Sequence, residues 1–386
     1  MSDIRDDVVA GFEALYGYAP AGLWSAPGRV NLIGEHTDYN LGFVLPFAIN
    51  RRTVVALGTR DDRVIRVGSE FADEVAEITL TELAPDRLSG WSAYPLGVAW
   101  ALGEHGADLA AVPGVDLYIE STVPVGAGLS SSAAIESAVA VALNEVWHLG
   151  FDRQTLAKVG QLAENKAVGA PTGIMDQSAS LLSSEDHAVF LDCRSLEAEL
   201  VPLGFAEAGL ELLIIDTGVQ HSHATGGYGE RRASCELGAS ILGVASLRDL
   251  GVDDLPRARE ALDEQTYRRV RHVITENQRV LDTVDRLEAD GPLAIGELLD
   301  ASHVSMRDDF EISIPELDLA VETAQANGAI GARMTGGGFG GAAIALVPAE
   351  GVSRIQVAID GAFAEHGFSQ PTMFTVTAAN GAARDR

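Results

Sequence analysis

Short apolar runs broken by turn-forming residues open the chain. Residues 30–34, 42–46, 53–57 and 64–67 each read as a β-strand bounded by glycine, proline, asparagine or aspartate, and together they predict the start of a mixed sheet. Val115, Leu117 and Ile119 recur with period two and predict one face of a further strand. That strand feeds a loop, Gly126, Ala127, Gly128, Leu129, Ser130, Ser131 and Ser132, which opens onto a helix rich in alanine and valine. A second helical stretch over 156–168 stops at Gly169, Ala170 and Pro171, and a third begins at 173–176, which puts Asp176 at the start of a helix. From about residue 200 new strands are predicted, 210–216 and 342–347 among them, separated by long charged helices over 256–327. A soft boundary at 195–205 divides the chain into 1–200 and 201–386, and no repeat of solenoid length is evident.

A chain of 386 residues is too long for one ordinary core and suits two domains with a cleft between them. With 47% of residues hydrophobic and 22% charged, the chain has the profile of a folded protein rather than a disordered one. The formal net charge of −29 repels nucleic-acid phosphates and anionic lipid heads, so neither is expected as a partner. The same field opposes ATP. A nucleotide site here would need local neutralisation by backbone N–H groups, arginine and a bound cation. Residues 1–7 lack the basic start and apolar stretch of a signal peptide, and no later apolar run reaches the length of a membrane span, so a cytoplasmic protein is expected. Cys193 and Cys235, far apart, indicate neither a disulfide framework nor a zinc site and read as buried small side chains.

Several segments could carry chemistry. The small residues of 126–132 let backbone N–H groups approach an anion at a helix N-terminus, and their hydroxyls can ligate magnesium; an ordinary helix cap made of serines fits the same residues. Lys158 and Lys166 are the only lysines and neither lies in a glycine loop, so both the Walker A design and the strand lysine of protein kinases are absent. Arg29, Glu35, His36 and Asp38 crowd into residues 28–40, a density of directional groups that suits sugar hydroxyls, or else a solvated turn. Asp176 reads either as a helix-capping carboxylate or as a general base toward a hydroxyl, with Arg29 as its candidate partner. Glu164 is either a magnesium ligand or part of a solvated helix face. His221 and His223 have a spacing compatible with a metal, although no third ligand stands near them in sequence. Residues 336–341, glycine but for Phe339, suit a tight connection or a backbone wall against phosphates. Trp91 and Tyr94 are candidate neighbours for an adenine ring, with core packing as the alternative.

Taken together, residues 26–46, 123–136 and 331–341 resemble the three motifs of the GHMP kinase superfamily, the first of them its galactokinase branch. Further matches are residues 173–177, Tyr228 with Arg231 and Arg232, residues 271–273, and residues 306–311, so the resemblance covers nearly the whole chain. It implies an α/β fold of two domains, ribosomal-protein-like then ferredoxin-like, with the active site in the cleft between them. It implies ATP-dependent phosphorylation of the anomeric hydroxyl of galactose, the first step of galactose breakdown, by a cytoplasmic monomer. Asp176 would be the catalytic base and Arg29 the stabiliser of the transition state. Glu35, His36, Thr37, Asp38, Gly173 and Tyr228 would hold the sugar, residues 126–132 the ATP phosphates, and Ser132 with Glu164 the magnesium ion. Thr172 stands where the family often has cysteine, and Gly226 and Gly227 where serine and an acidic residue are common. Those departures leave sugar selectivity open. A kinase for N-acetylgalactosamine or arabinose, or a non-catalytic galactose sensor, are the alternatives, although Asp176 and the serine run are intact.

Overall fold

The computed structural model describes residues 4–219 and 224–385. Period-two burial organises the first half. Within the strand Pro46–Thr59, Val55 and Leu57 enter one core while Val54 and Ala56 enter another on the opposite face. This strand and Gly22–Asn31, buried at every position, are therefore central in a six-stranded sheet. The strand order is Ala383–Arg384, Gly22–Asn31, Pro46–Thr59, Val115–Ser121, Val64–Ser69 and Ala72–Thr79. All neighbours pair antiparallel except Val64–Ser69, which runs parallel to Val115–Ser121. The helices Ala93–Glu104, Ser131–Val146, Arg153–Ala163 and Met175–Leu182 cover the face that carries Val55 and Leu57, and the helix Ile4–Tyr16 covers the other.

The second half is built on an antiparallel sheet in the order Gly331–Met334, Ala342–Pro348, Leu210–Asp216, Thr372–Val376. Leu213, Ile215, Ala343 and Ala345 face the helices Gly296–Asp308, Pro315–Ala326 and Val352–His366. The alternate residues Leu212, Ile214, Ile344 and Leu346 share a core with Val30, Leu32, Leu45 and Phe47 of the first half. The two halves are thus joined by a continuous apolar layer, and the long helix Glu264–Asp290 packs beside the join. The arrangement is the expected two-domain α/β one, with a cavity between the domains. Among the described residues no helix is long and apolar enough to cross a membrane, and Cys193 and Cys235 are both buried thiols.

One irregularity positions the chemistry. The register of Gly22–Asn31 against Pro46–Thr59 shifts between Pro27 and Arg29. Bulges of this kind re-aim a side chain next to an active site, and Arg29 leaves the bulge pointing into the cavity.

Candidate active site

Asp176 stands in the first turn of Met175–Leu182 and takes a two-pronged pair from Arg29, Nε to Oδ1 at 2.8 Å and Nη2 to Oδ2 at 2.8 Å. Such fork geometry fixes a carboxylate in both distance and plane. The Ser130 hydroxyl also donates to Asp176. The helix is not capped by a side chain, so the capping alternative for Asp176 is not realised. Arg29 is 5% exposed and Asp176 22%, so the guanidinium is sunk in the wall while the carboxylate reaches the cavity. Arg29 also donates from Nη1 to the Gly128 carbonyl at 2.6 Å and from its backbone N–H to the Leu129 carbonyl at 3.1 Å, which hangs the glycine–serine loop from the bulged strand. Gly28 permits that approach, because a Cβ there would lie 2.7 Å from the Leu129 oxygen.

Ser130 begins the helix Ser131–Val146 in the left-handed region, φ 55°, without capping it through its side chain. Its hydroxyl serves Asp176 instead, so the helix's first amides and its positive dipole end are free of a serine cap. The simple helix-cap reading of the serines therefore fails. Gly126, Gly128, Leu129, Ser130, Ser131 and Ser132 line the cavity, whereas Ala127 does not, because its methyl is buried in the core the halves share. Ser132 donates to Glu164 at 3.1 Å. Glu164 is 6% exposed, on a π-turn following Arg153–Ala163, which rules out a solvated helix face. Thr172 at 2.8 Å and Gln177 at 2.9 Å also donate to it. Burial first, and the charge of Asp176 second, raise its carboxyl above the usual range. Hydroxyl and carboxylate are hard oxygen donors of the kind magnesium takes, and no group of three or more acidic, histidine or cysteine side chains forms a closed metal cage among the described residues.

The opposite wall carries the residues expected to meet the sugar. Asp38 accepts the amides of Tyr39, at 2.8 Å, and Met175, which ties the loop to the start of the Asp176 helix. Gly173 packs directly on it: a Cβ there would fall 1.8 Å from Asp38 Oδ2. Burial, then the charge of Asp176, push the Asp38 carboxyl up to about 6. His36 has φ 62° and is buried, and burial lowers its pKa to about 3, so it is neutral. Its Nε2 meets the Gly337 carbonyl at 3.1 Å, which can only accept, so the proton is on Nε2 and Nδ1 accepts from the Tyr39 hydroxyl at 2.7 Å. The Tyr228 ring lies tilted against His36, 4.9 Å between centroids, and lines the cavity.

Two expected sugar contacts take a different form. Thr37 is fully buried with its hydroxyl against the carbonyls of Gly34, 2.8 Å, and Phe43, 2.6 Å, so it braces the loop and does not line the cavity. Glu35 reaches the lining, but its oxygens already accept from Arg333, Thr335 and the Gly336 amide. Arg333 itself has no local signal in the sequence. Its partners Asn31 and Glu35 lie about 300 positions away, and only its place beside the glycine-rich segment hinted at a role. Tyr94 lines the cavity, while Trp91 packs on the first core. His221 and His223 lie outside the described residues.

The cavity enclosed by these elements is about 400 Å³ and brings Arg29, Glu35, His36, Asp38, Glu164, Asp176 and Tyr228 together with the glycine–serine loop and Gly336, Gly337 and Gly338. Among the described residues that line it, Arg29 is the only cationic side chain, which leaves the remaining contacts to an anion to backbone amides and hydroxyls.

The galactokinase galactose-binding signature matches residues 10–59, the GHMP kinase N-terminal domain residues 93–184 and the GHMP kinase C-terminal domain residues 286–365. A galactokinase of Streptomyces coelicolor is 52% identical over 376 residues, 97% of this chain and 96% of its own length. One of Mycobacterium tuberculosis is 45% identical over 363 residues, 94% of this chain and 99% of its own. The crystal structure of Lactococcus lactis galactokinase complexed with galactose aligns with a TM-score of 0.94 at 33% identity, over 99% of this chain and 100% of that one. A Methanococcus jannaschii mevalonate kinase, at 18% identity and a TM-score of 0.66, shares the fold alone. Fold and cavity thus define a kinase of the GHMP class. Within that class, the chain belongs to the galactokinase family.

Proposed function

We propose that the protein transfers the γ-phosphoryl group of ATP to the anomeric hydroxyl of α-D-galactose, giving α-D-galactose 1-phosphate and ADP. The observation that carries this reading is Asp176, held by Arg29 in a cavity that both the 35–38 loop and the 126–132 loop line. Asp176 takes the proton from the anomeric oxygen. An electron pair of that oxygen forms the new bond to phosphorus, and the bond to the β-phosphate oxygen breaks with its pair leaving on ADP. Arg29 fixes the plane of the carboxylate and stabilises charge developing at the transferred group. Asp38, neutral His36, Gly173 and Tyr228 orient the sugar, and Glu35 sets the position of their loop. The amides of 126–132 hold the phosphates.

Ser132 and Glu164 would hold magnesium, which when bound offsets the charge of the phosphates. The reading divides the chain at about residue 200 into a half with both loops and a half with the glycine wall. The terminal strand Ala383–Arg384 returns to the first sheet. It also makes the protein a cytoplasmic monomer acting on two small molecules, and the net charge of −29 accords with the absence of nucleic-acid or membrane partners.

The test is magnesium-dependent ADP release from ATP with galactose, glucose, N-acetylgalactosamine, arabinose and mevalonate offered separately. Turnover confined largely to galactose is expected. Preference for another sugar moves the specificity, and galactose binding without ADP release turns the reading toward a sensor.

A further inference from the structure

Arg333 is a fully buried arginine on the strand Gly331–Met334 of the second half, yet its guanidinium is committed to the first. Nη1 donates to the carbonyls of Asn31 at 3.2 Å and Leu32 at 2.9 Å, and Nη2 donates to Glu35. The same loop is gripped from the second half at three further points. Glu276 accepts the Gly34 amide at 3.0 Å, His272 Nε2 donates to the Glu35 carbonyl at 3.1 Å, and Asn277 accepts the Phe43 amide at 2.9 Å. Glu276 is itself 3.9 Å from Arg333 and takes Ser302 at 2.6 Å and Arg279 at 2.7 Å.

Stability alone does not explain this cluster. Burying an ion pair sacrifices hydration that its mutual attraction only about repays, and an apolar pair would fill the same space as well. One Arg333 donor, Nε, is also buried without a partner. What the guanidinium supplies that a hydrocarbon cannot is direction: three bonds that fix two backbone carbonyls and one carboxylate relative to a strand of the other half. The phosphate loop is suspended differently, from Arg29 and from the Ser130 bond to Asp176, and Gly128 approaches Thr335 and Gly336, which Glu35 holds.

We infer that Arg333 is a positioning residue for the sugar half of the site, setting through Glu35 and residues 31–32 where His36 and Asp38 stand, while the 126–132 loop hangs from Arg29 and Asp176. The inference rests on the kinase reading above, and the two fail separately: wild-type turnover of galactose tests the reading, the behaviour of one variant tests the inference.

Arg333→Met would leave Glu35 buried without its partner and threaten folding, so the variant of choice is Arg333→Lys, which keeps the charge and loses the fork. KM values for galactose and ATP are measured along with the melting temperature, because KM does not depend on how much of a preparation is folded. The galactose KM is expected to rise about 10-fold or more and the ATP KM to stay within about 2-fold, since small misplacements of binding groups are felt strongly and locally. A lowered melting temperature with both constants unchanged, or an equal rise in both, would overturn the assignment. Should Arg333→Lys give no soluble protein, Glu276→Gln loosens the same grip from the helix Glu264–Asp290 and is judged by the same ratio.

Discussion

The two walls of the cavity are built in opposite ways. The sugar-facing loop is gripped: Asn31, Leu32, Gly34, Glu35 and Phe43 each give a backbone group to a side chain of the second half, and Glu35, His36 and Thr37 are all buried. The phosphate-facing loop is looser: Gly126 is exposed, as is Val125 just before it, residues 128 and 130–132 are only half-buried, and no serine caps its helix. The contrast follows from the ligands. A neutral polyol is told from its epimers only by fixed acceptors and donors, since a misaligned or unpaired polar group is costly once buried. A polyphosphate is held by a field, for which many weakly directed amides and a cation suffice.

If that contrast holds, damage should sort by wall. The largest effect belongs to the group both walls share. Asp176→Ala is expected to lower kcat by about 10²- to 10⁴-fold, the range for loss of a positioned general base, with the KM values much less changed in steady-state assays. Gly173→Ala comes next. Its Cβ would lie 1.8 Å from Asp38 Oδ2, so the carboxylate must move. The galactose KM is expected to rise about 10- to 100-fold with little change for ATP, and equal changes in both would dissolve the division between walls.

Acid should act on the sugar wall through Asp38. Burial, then Asp176, raises the Asp38 carboxyl to about 6. A carboxyl raised by folding holds its proton more tightly in the folded chain, so its contribution to stability is present at low pH and is lost as the pH rises through about 6. Sugar binding runs the other way, because an ionised acceptor is needed. The galactose KM is expected to climb as the pH falls through about 6 and to lose that dependence in Asp38→Asn. His36, neutral down to about 3, should not contribute to the profile. The smallest effect is that of Thr37→Val, which removes a buried donor to two carbonyls. Urea unfolding should show a loss of about 1–2 kcal/mol, with both KM values within about 3-fold because no contact to either ligand is removed.

What could be read from the chain alone follows the same division. The phosphate loop and the start of the Asp176 helix are contiguous in sequence, their glycines and serines mark positions where backbone approaches an anion, and the Arg29–Asp176 partnership follows from the needs of a general base. Neither loop reveals in sequence which side chains turn inward: the Ala127 methyl enters the shared core, leaving only its backbone for a ligand, and Thr37 braces its own loop. What Arg333 and Glu276 hold is illegible for another reason: their pairings lie some 240 to 300 residues away, and the motif over 331–341 marks a site without naming the loop the arginine grips.

The most direct test of the whole reading is to follow the reaction of ATP, magnesium and galactose by phosphorus NMR, with wild type and Asp176→Ala side by side. A sugar phosphate coupled to the anomeric proton should grow in step with ADP in the wild type and be nearly absent in the variant. A phosphate on any other hydroxyl, or an undiminished anomeric signal from Asp176→Ala, would contradict it.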